Sequence, residues 1–497
     1  MRRALSYALA VLLTALTQAP AAADGDRIES LPSPLYAYTS GEKTVFALER
    51  DAYERIAPLR RVRLKDFPLP GKPSEDLELE QTTILLPGAR LEATTDEGET
   101  TLAFPRIAVF RGHLAGRPDS RVVLSVSPRG MQAIVDAPEE GFVLAPSGAR
   151  DAAQDIIHEA SAKTEPGLLD LPESARRNVQ DTLYWGPERQ TQAPPRASGQ
   201  FRVCRLALEC DYEFWCRFND LDAALDYLYI LFTAMGDIYE RDLSVKLALT
   251  YINIWTTAND PYSYVGGEST GLKEFVDYWR ANHNPGQPGF VERDLAHLLS
   301  SRGVGAWGNV GVLCDYNNGF SISGGIALLP GLADRVHHDI MYAAHEIGHN
   351  FNGIHTHCLI DPSTGDYVDK CVTEPNCNQT VDCSTAPSSI MSYCDNCPGG
   401  GANVLEKFDD PNISRILNHV AGSCLRIARN PCYVDQSNNS GTEDGDSSHP
   451  YNTIKEGVEA VLPSGTVIVT SGSYPGSITL WQPMTLQANG GGVTIGQ

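Results

Sequence analysis

No cysteine precedes Cys204, and all twelve lie between Cys204 and Cys432. This absence denies the N-terminal part any thiol ligand or latch and confines a disulfide framework to the later part of the chain. Basic residues are scarce as well. The 39 Lys and Arg against 62 Asp and Glu leave a net charge of −23, which excludes the basic surface that a nucleic-acid partner requires. Long hydrophobic runs are missing beyond the extreme N-terminus, so no later segment reads as a spanning helix. The glycines show no triplet period and 42% of residues are apolar, which excludes a collagen-like chain and wholesale disorder. A length of 497 residues then corresponds to roughly three domains.

The N-terminus reads as an export signal. Arg2 and Arg3 precede a short apolar stretch over 8–16 and the small residues Ala21-Ala22-Ala23, with Asp24 as the first mature residue. The apolar stretch is well short of the ~20 residues a spanning helix needs. A secreted protein with no membrane span after signal cleavage is therefore expected.

Four segments follow the signal peptide 1–23. Residues 24–185 are expected to be a mainly-β, propeptide-like domain, with strands at 83–86, 107–110, 122–126 and 132–135. A Pro/Gln/Gly/Ser-rich linker occupies 186–199, just after the dibasic pair Arg176-Arg177, which reads as a processing site or as two surface arginines. Segment 200–430 reads as mixed α/β: apolar residues recur at helical spacing from Leu221 to Ile238 behind Asn219 or Asp220 as N-cap, and Val245, Leu247, Leu249 and Tyr251 alternate as in a strand. Its cysteines favour disulfides of open connectivity over a zinc knuckle at Cys394-Asp395-Asn396-Cys397. In 431–497 a short helix over 451–462 feeds β-rich stretches at 466–470, 477–480, 485–486 and 493–495. That order resembles the opening coils of a right-handed parallel β-helix. Two repeats are too few to bury a solenoid core, so a longer natural chain is expected, with a small independent β module as the alternative.

The chemistry concentrates in His345-Glu346-Ile347-Gly348-His349-Asn350-Phe351-Asn352-Gly353-Ile354-His355. Residues i and i+4 of a helix share a face, so His345 and His349 can address one ion. Ile340, Ala344 and Ile347 mark the buried stripe. Glu346 stands beside the first ligand, and His355 arrives from beyond the helix end after a sharp turn. Three imidazoles leave one position of a tetrahedral zinc open to water, the arrangement of a catalytic site. A chance occurrence of this spacing is about 0.0005 for a chain of this histidine content, which weighs against three unrelated core histidines.

The extended motif resembles the metzincin signature. Ser389-Ile390-Met391-Ser392-Tyr393 resembles the Met-turn that follows it, with Met391 as an apolar floor beneath the histidines. The wording His-Glu-Ile-Gly-His-Asn-Phe is closest to the reprolysin (ADAM-like) branch over about 201–429, and residues 112–120 echo its propeptide. The resemblance implies an α/β (α+β) catalytic domain with one Zn2+, preceded by a prodomain, that hydrolyses protein or peptide substrates with Glu346 as general base. It also implies a catalytic role for Tyr393 at the oxyanion, or a structural one. Two positions depart from the branch. Asn352 replaces a glycine of left-handed conformation, which leaves His357 as an alternative third ligand if the turn shifts, and Thr356 replaces an acid that the branch often carries. His337, His338 and His419 read as surface or helix residues. Asp409-Asp410 could hold Ca2+, but no calcium site is assigned. Latency, if present, is expected from steric cover or from a carboxylate or histidine of the N-terminal region. The competing readings are a surface adhesion or carbohydrate-engaging protein with an accessory protease domain, and a partner-binding pseudoprotease. Oligomeric state stays open.

Overall fold

The structure is a computed structural model that describes residues 28–162, 188–189 and 201–496, apart from 41–42, 138–139, 152, 266–267, 303–304, 330–331, 463–464, 477, 479 and 481–483. The expected signal segment 1–23, Asp24, Arg176-Arg177 and most of the linker 186–199 lie outside the described residues.

Ten strands between Glu29 and Ala162 build one largely antiparallel sheet. Its central strands carry apolar residues on both faces rather than alternating strictly, because both faces are covered. Val122, Leu124, Val126, Ala133, Val135 and Leu144 point into the sheet's own core. Their chain neighbours Val123, Ile134 and Val143 point the other way, into the large core shared with the rest of the molecule. This is period-two geometry with two dry sides.

The stretch 83–86, expected as one strand, instead straddles a change of sheet. The strand Glu75–Thr82 ends in the N-terminal sheet, and the chain passes through Ile84 into β1 (Leu85–Thr95) and β2 (Gly98–Leu102), a hairpin that belongs to a second sheet. That sheet also contains β3 (Phe201–Cys210), β4 (Val245–Trp255), β5 (Leu295–Leu299), β6 (Ala306–Gly308) and β7 (Phe320–Ser323), in the order β6-β7-β5-β3-β4-β1-β2. Strand β1 runs parallel to β4, from Leu249 opposite Leu85 to Trp255 opposite Thr94. Side chains secure the seam: Tyr251 donates to Glu92 at 2.8 Å, Thr94 to Asn253 at 2.9 Å, and Thr257 and Asn259 to Asp96.

Helix α1 (Leu221–Leu243) is capped by Asp220, whose carboxylate accepts from Ala223 N. Ten consecutive residues, Tyr227–Gly236, are buried, which a surface helix does not allow. It is buried all round because it lies between the two sheets. Helix α2 (Glu268–Asn282) covers the opposite face of the second sheet, where Tyr251, Trp255, Phe275, Trp279 and Phe320 form an aromatic core.

Inside that core Glu209 of β3 is fully buried and accepts from Trp255 Nε1 at 2.5 Å, Tyr262 Oη at 2.6 Å and Trp279 Nε1. Burial pushes its carboxyl from the ordinary 4.5 up to about 7, against the opposing pull of the three donors. The folded state then binds this proton more tightly than the unfolded one, so the group's stabilisation is full below about pH 4.5 and is lost as the pH rises to about 7. Glu209→Gln is expected to remove about one proton from the linkage across that window, roughly 1.4 kcal/mol per pH unit. Denaturant unfolding at several pH values measures it, and an unchanged slope contradicts the assignment.

The tail contains three parallel strands, Cys432–Val434, Thr466–Tyr474 and Thr485–Ile495, and the helix Ile454–Ala460, shorter than expected and closed by a Thr453–Glu456 capping box. The stretches 485–486 and 493–495 are the two ends of one strand, whereas Ile478 and Leu480 lie outside any strand. Leu462 packs with Leu86, Val203, Ala248 and Ala428, and Arg426 pairs with Glu459, so the tail seats where the first two segments meet. No helix among the described residues is long and apolar enough to cross a membrane.

Candidate metal centre

Helix α3 (Leu332–Asn350) carries the histidine motif. Its stripe Ile340, Ala344 and Ile347 is fully buried, and Tyr239 of α1 donates to Ala344 O at 2.8 Å. The last helical residue, Asn350, donates to Asn309 O and Phe320 O and accepts from Ser321, which fixes the helix end to the sheet edge. Gly308 on the edge strand β6 lies so close that an added Cβ would collide with Glu346 O and stand 3.0 Å from His349 Cβ. A side chain there would push the strand off the helix.

Asn352 has φ +78°, the left-handed conformation expected of a glycine. Asn352 N bonds back to His349 O, Gly353 N bonds to Gly348 O, and Arg415 of α4 (Asp410–Ala421) donates to both Asn352 O and Asn352 Oδ1. The turn is therefore made at Asn352 and not one residue later. Asn412 then grips Ile354 from both sides, accepting from its N–H at 2.9 Å and donating to its carbonyl at 3.0 Å. That grip aims the next residue, His355.

The ligand atoms of His345, His349 and His355 lie within 4.8 Å of one another, and all three side chains are buried. His345 Nδ1 donates to Ile390 O at 2.7 Å and His349 Nδ1 to Gly353 O at 2.9 Å. A carbonyl can only accept, so both rings carry hydrogen on Nδ1 and present the Nε2 lone pair. His349 Nε2 and His355 Nε2 stand 3.2 Å apart, close to the roughly 3.3 Å edge of a tetrahedron with ~2.0–2.1 Å zinc–nitrogen bonds. The donor set therefore fits zinc.

Met391 is fully buried, and a Cβ on Gly348 would approach its sulfur to 2.8 Å. Its carbonyl accepts from Thr356 N and Oγ1. The Tyr393 ring stacks on His345 with planes 13° apart and lies 4.5 Å from the His355 centroid. His357 does not join the cluster of three. Its Nε2 donates to Glu374 Oε2 at 2.8 Å, and the same oxygen lies 3.3 Å from His355 Nδ1. Burial pushes the Glu374 carboxyl up, but hydrogen bonds and charge from His355 and His357 outweigh it and bring it down to about 2.

Asp409 caps α4 and accepts from Asn412 N and Ser389 Oγ. His337 bonds to Glu406, His338 to Asp339, and His419 lies on α4. Four disulfides, Cys314–Cys424, Cys358–Cys377, Cys371–Cys394 and Cys383–Cys397, exclude the knuckle reading of Cys394 and Cys397. The remaining Cys204, Cys210, Cys216 and Cys432 are thiols, the first two buried in β3.

Residues 200–401 match the family model of metallo-peptidase family M12, in its reprolysin form. This segment is a reprolysin-like metzincin domain. No curated protein matches the chain. Membership of the family implies zinc-dependent proteolysis and protein or peptide substrates. In the reprolysin-like domain the N-terminal hairpin occupies the sheet edge opposite β6, whereas Glu188–Arg189 of the linker pairs with Leu359–Ile360, just beyond His355. Sequence reasoning passed over Glu374, because one acid among the 62 Asp and Glu carries no local mark.

Proposed function

We propose that this chain is an exported zinc endopeptidase in which His345, His349 and His355 hold the ion, Met391 floors the site and Glu346 is the general base. The observation that carries the reading is the convergence of three buried imidazoles, two with their Nδ1 atoms committed to backbone carbonyls. Zinc, when bound, supplies a Lewis acid that lowers the pKa of water towards ~7 and polarises the scissile carbonyl. Glu346 accepts the proton of the attacking water and returns it to the leaving amine. On this reading Tyr393, whose ring lies against His345 and His355, donates its hydroxyl to the developing oxyanion. The signal at 1–23 and the four disulfides support export. The N-terminal sheet takes the place of a prodomain, and the tail forms a β-helix-like module.

The purified full chain, cut in the linker, is expected to carry one zinc and to cleave casein. Chelation is expected to abolish cleavage and zinc to restore it. Cleavage that survives chelation, or a sample without stoichiometric metal, overturns the reading.

A further inference from the structure

The third histidine is held differently from the first two. His345 and His349 rise from one helix and are tethered to neutral carbonyls. His355 comes from a segment of irregular backbone ahead of the single turn Thr356–Cys358, so no helix restrains its ring. Thr356, which stands where the reprolysin branch often has an acid, turns away to serve Met391 O. The carboxylate arrives from further along the chain, as Glu374 Oε2 at 3.3 Å from His355 Nδ1.

We propose that Glu374 is the positioning carboxylate of the metal centre, fixing the tautomer and ring direction of His355 so that Nε2 faces the ion shared with His345 and His349. The inference rests on the zinc reading above. Outer carboxylates of this kind orient metal-bound imidazoles and raise their basicity. The least restrained ligand thus receives a charged tether, at 3.3 Å longer than the carbonyl contacts of the other two.

Glu374 is itself held in place. Its N–H bonds to Asn378 O, Asn378 N bonds to His357 O, Gln379 donates to Glu374 O, and the Cys358–Cys377 disulfide closes the loop onto the histidine segment. His357 pins the carboxylate through the same Oε2, its ring nearly parallel to that of His355 at 19° and 5.2 Å. His357, weighed in the sequence as a ligand, becomes the support of the support.

Metal affinity of the full chain, measured by chelator competition, and the visible spectrum of its Co2+ form test this. Glu374→Gln keeps the size of the side chain but loses the charge. It is expected to weaken metal binding by about 10–100-fold and to shift the Co2+ bands. His357→Gln keeps a donor for Glu374 and is expected to weaken metal binding by less than Glu374→Gln does. Glu374→Asp, which withdraws the charge by one methylene, serves the same test where the Gln variant does not fold. A Glu374 variant with wild-type affinity and an unmoved spectrum, even one of lowered thermal stability, overturns the inference and leaves a loop-holding residue. Wild-type protein that takes up no stoichiometric metal sinks the zinc reading instead.

Discussion

Glu346→Gln is expected to keep one zinc and to lose turnover by about 10²–10⁴-fold, the range a positioned general base contributes. Glu346 is buried, one position after His345 on α3, where Gly308 of the edge strand touches its backbone. The substitution preserves side-chain shape and leaves the three histidines and their carbonyl partners in place. What it removes is the ability to take a proton from water and hand it to the amine. The loss is therefore expected in kcat, with KM little changed, because the base acts in the transition state and not in binding. Metal analysis beside steady-state kinetics checks both halves. A Gln variant that still turns over removes Glu346 from the mechanism.

The second large effect is expected far from the histidines. Arg121 lies in the N-terminal sheet with its side chain only 13% exposed. Its guanidinium meets Asp237 of α1 at 2.8 Å, Glu406 at 2.5 Å and Asp136 at 3.3 Å, and donates to Ala234 O. Glu406 in turn accepts from His337 on α3. Arg121→Ala leaves the part-buried Asp237 and Glu406 without their shared cation, a change expected to cost about 3 kcal/mol. Denaturant unfolding measures it, and a loss below about 1 kcal/mol marks the cluster as surface-like. The same seam makes a dissociable prodomain hard to realise. A chain cut near residue 197 is expected to elute as one particle, because β1 stays paired with β4 and α1 stays covered. A chain that begins at residue 200 exposes the edge of β4, ten of whose eleven residues are buried, and is expected to aggregate. Separation of the two pieces under native conditions contradicts this.

Some of this was legible in the residues. The i, i+4 histidines, the stripe at Ile340, Ala344 and Ile347, and the cap at Asp220 are local features whose spacing states their geometry. Asn352 in the left-handed region was legible for the same reason, since few other side chains tolerate it. What escaped depends on distance along the chain. The run through Ile84 reads as one strand because apolarity says nothing about which sheet receives it. Arg121 and Glu209 look like lone charges in apolar strands until Glu406, Asp237, Trp255 and Trp279 arrive from elsewhere. An even cysteine count likewise cannot separate bridged thiols from buried ones such as Cys204 and Cys210.

The hairpin at Leu85–Leu102 also imposes a direction on biogenesis. It leaves the ribosome before any strand that it will border, so its edge can wait as a template when Val245–Trp255 emerges. The same contact joins residues more than 150 positions apart, a long loop to close and hence a slow step. Order of synthesis offsets that slowness, and a rearranged gene that placed the first 162 residues last would forfeit it.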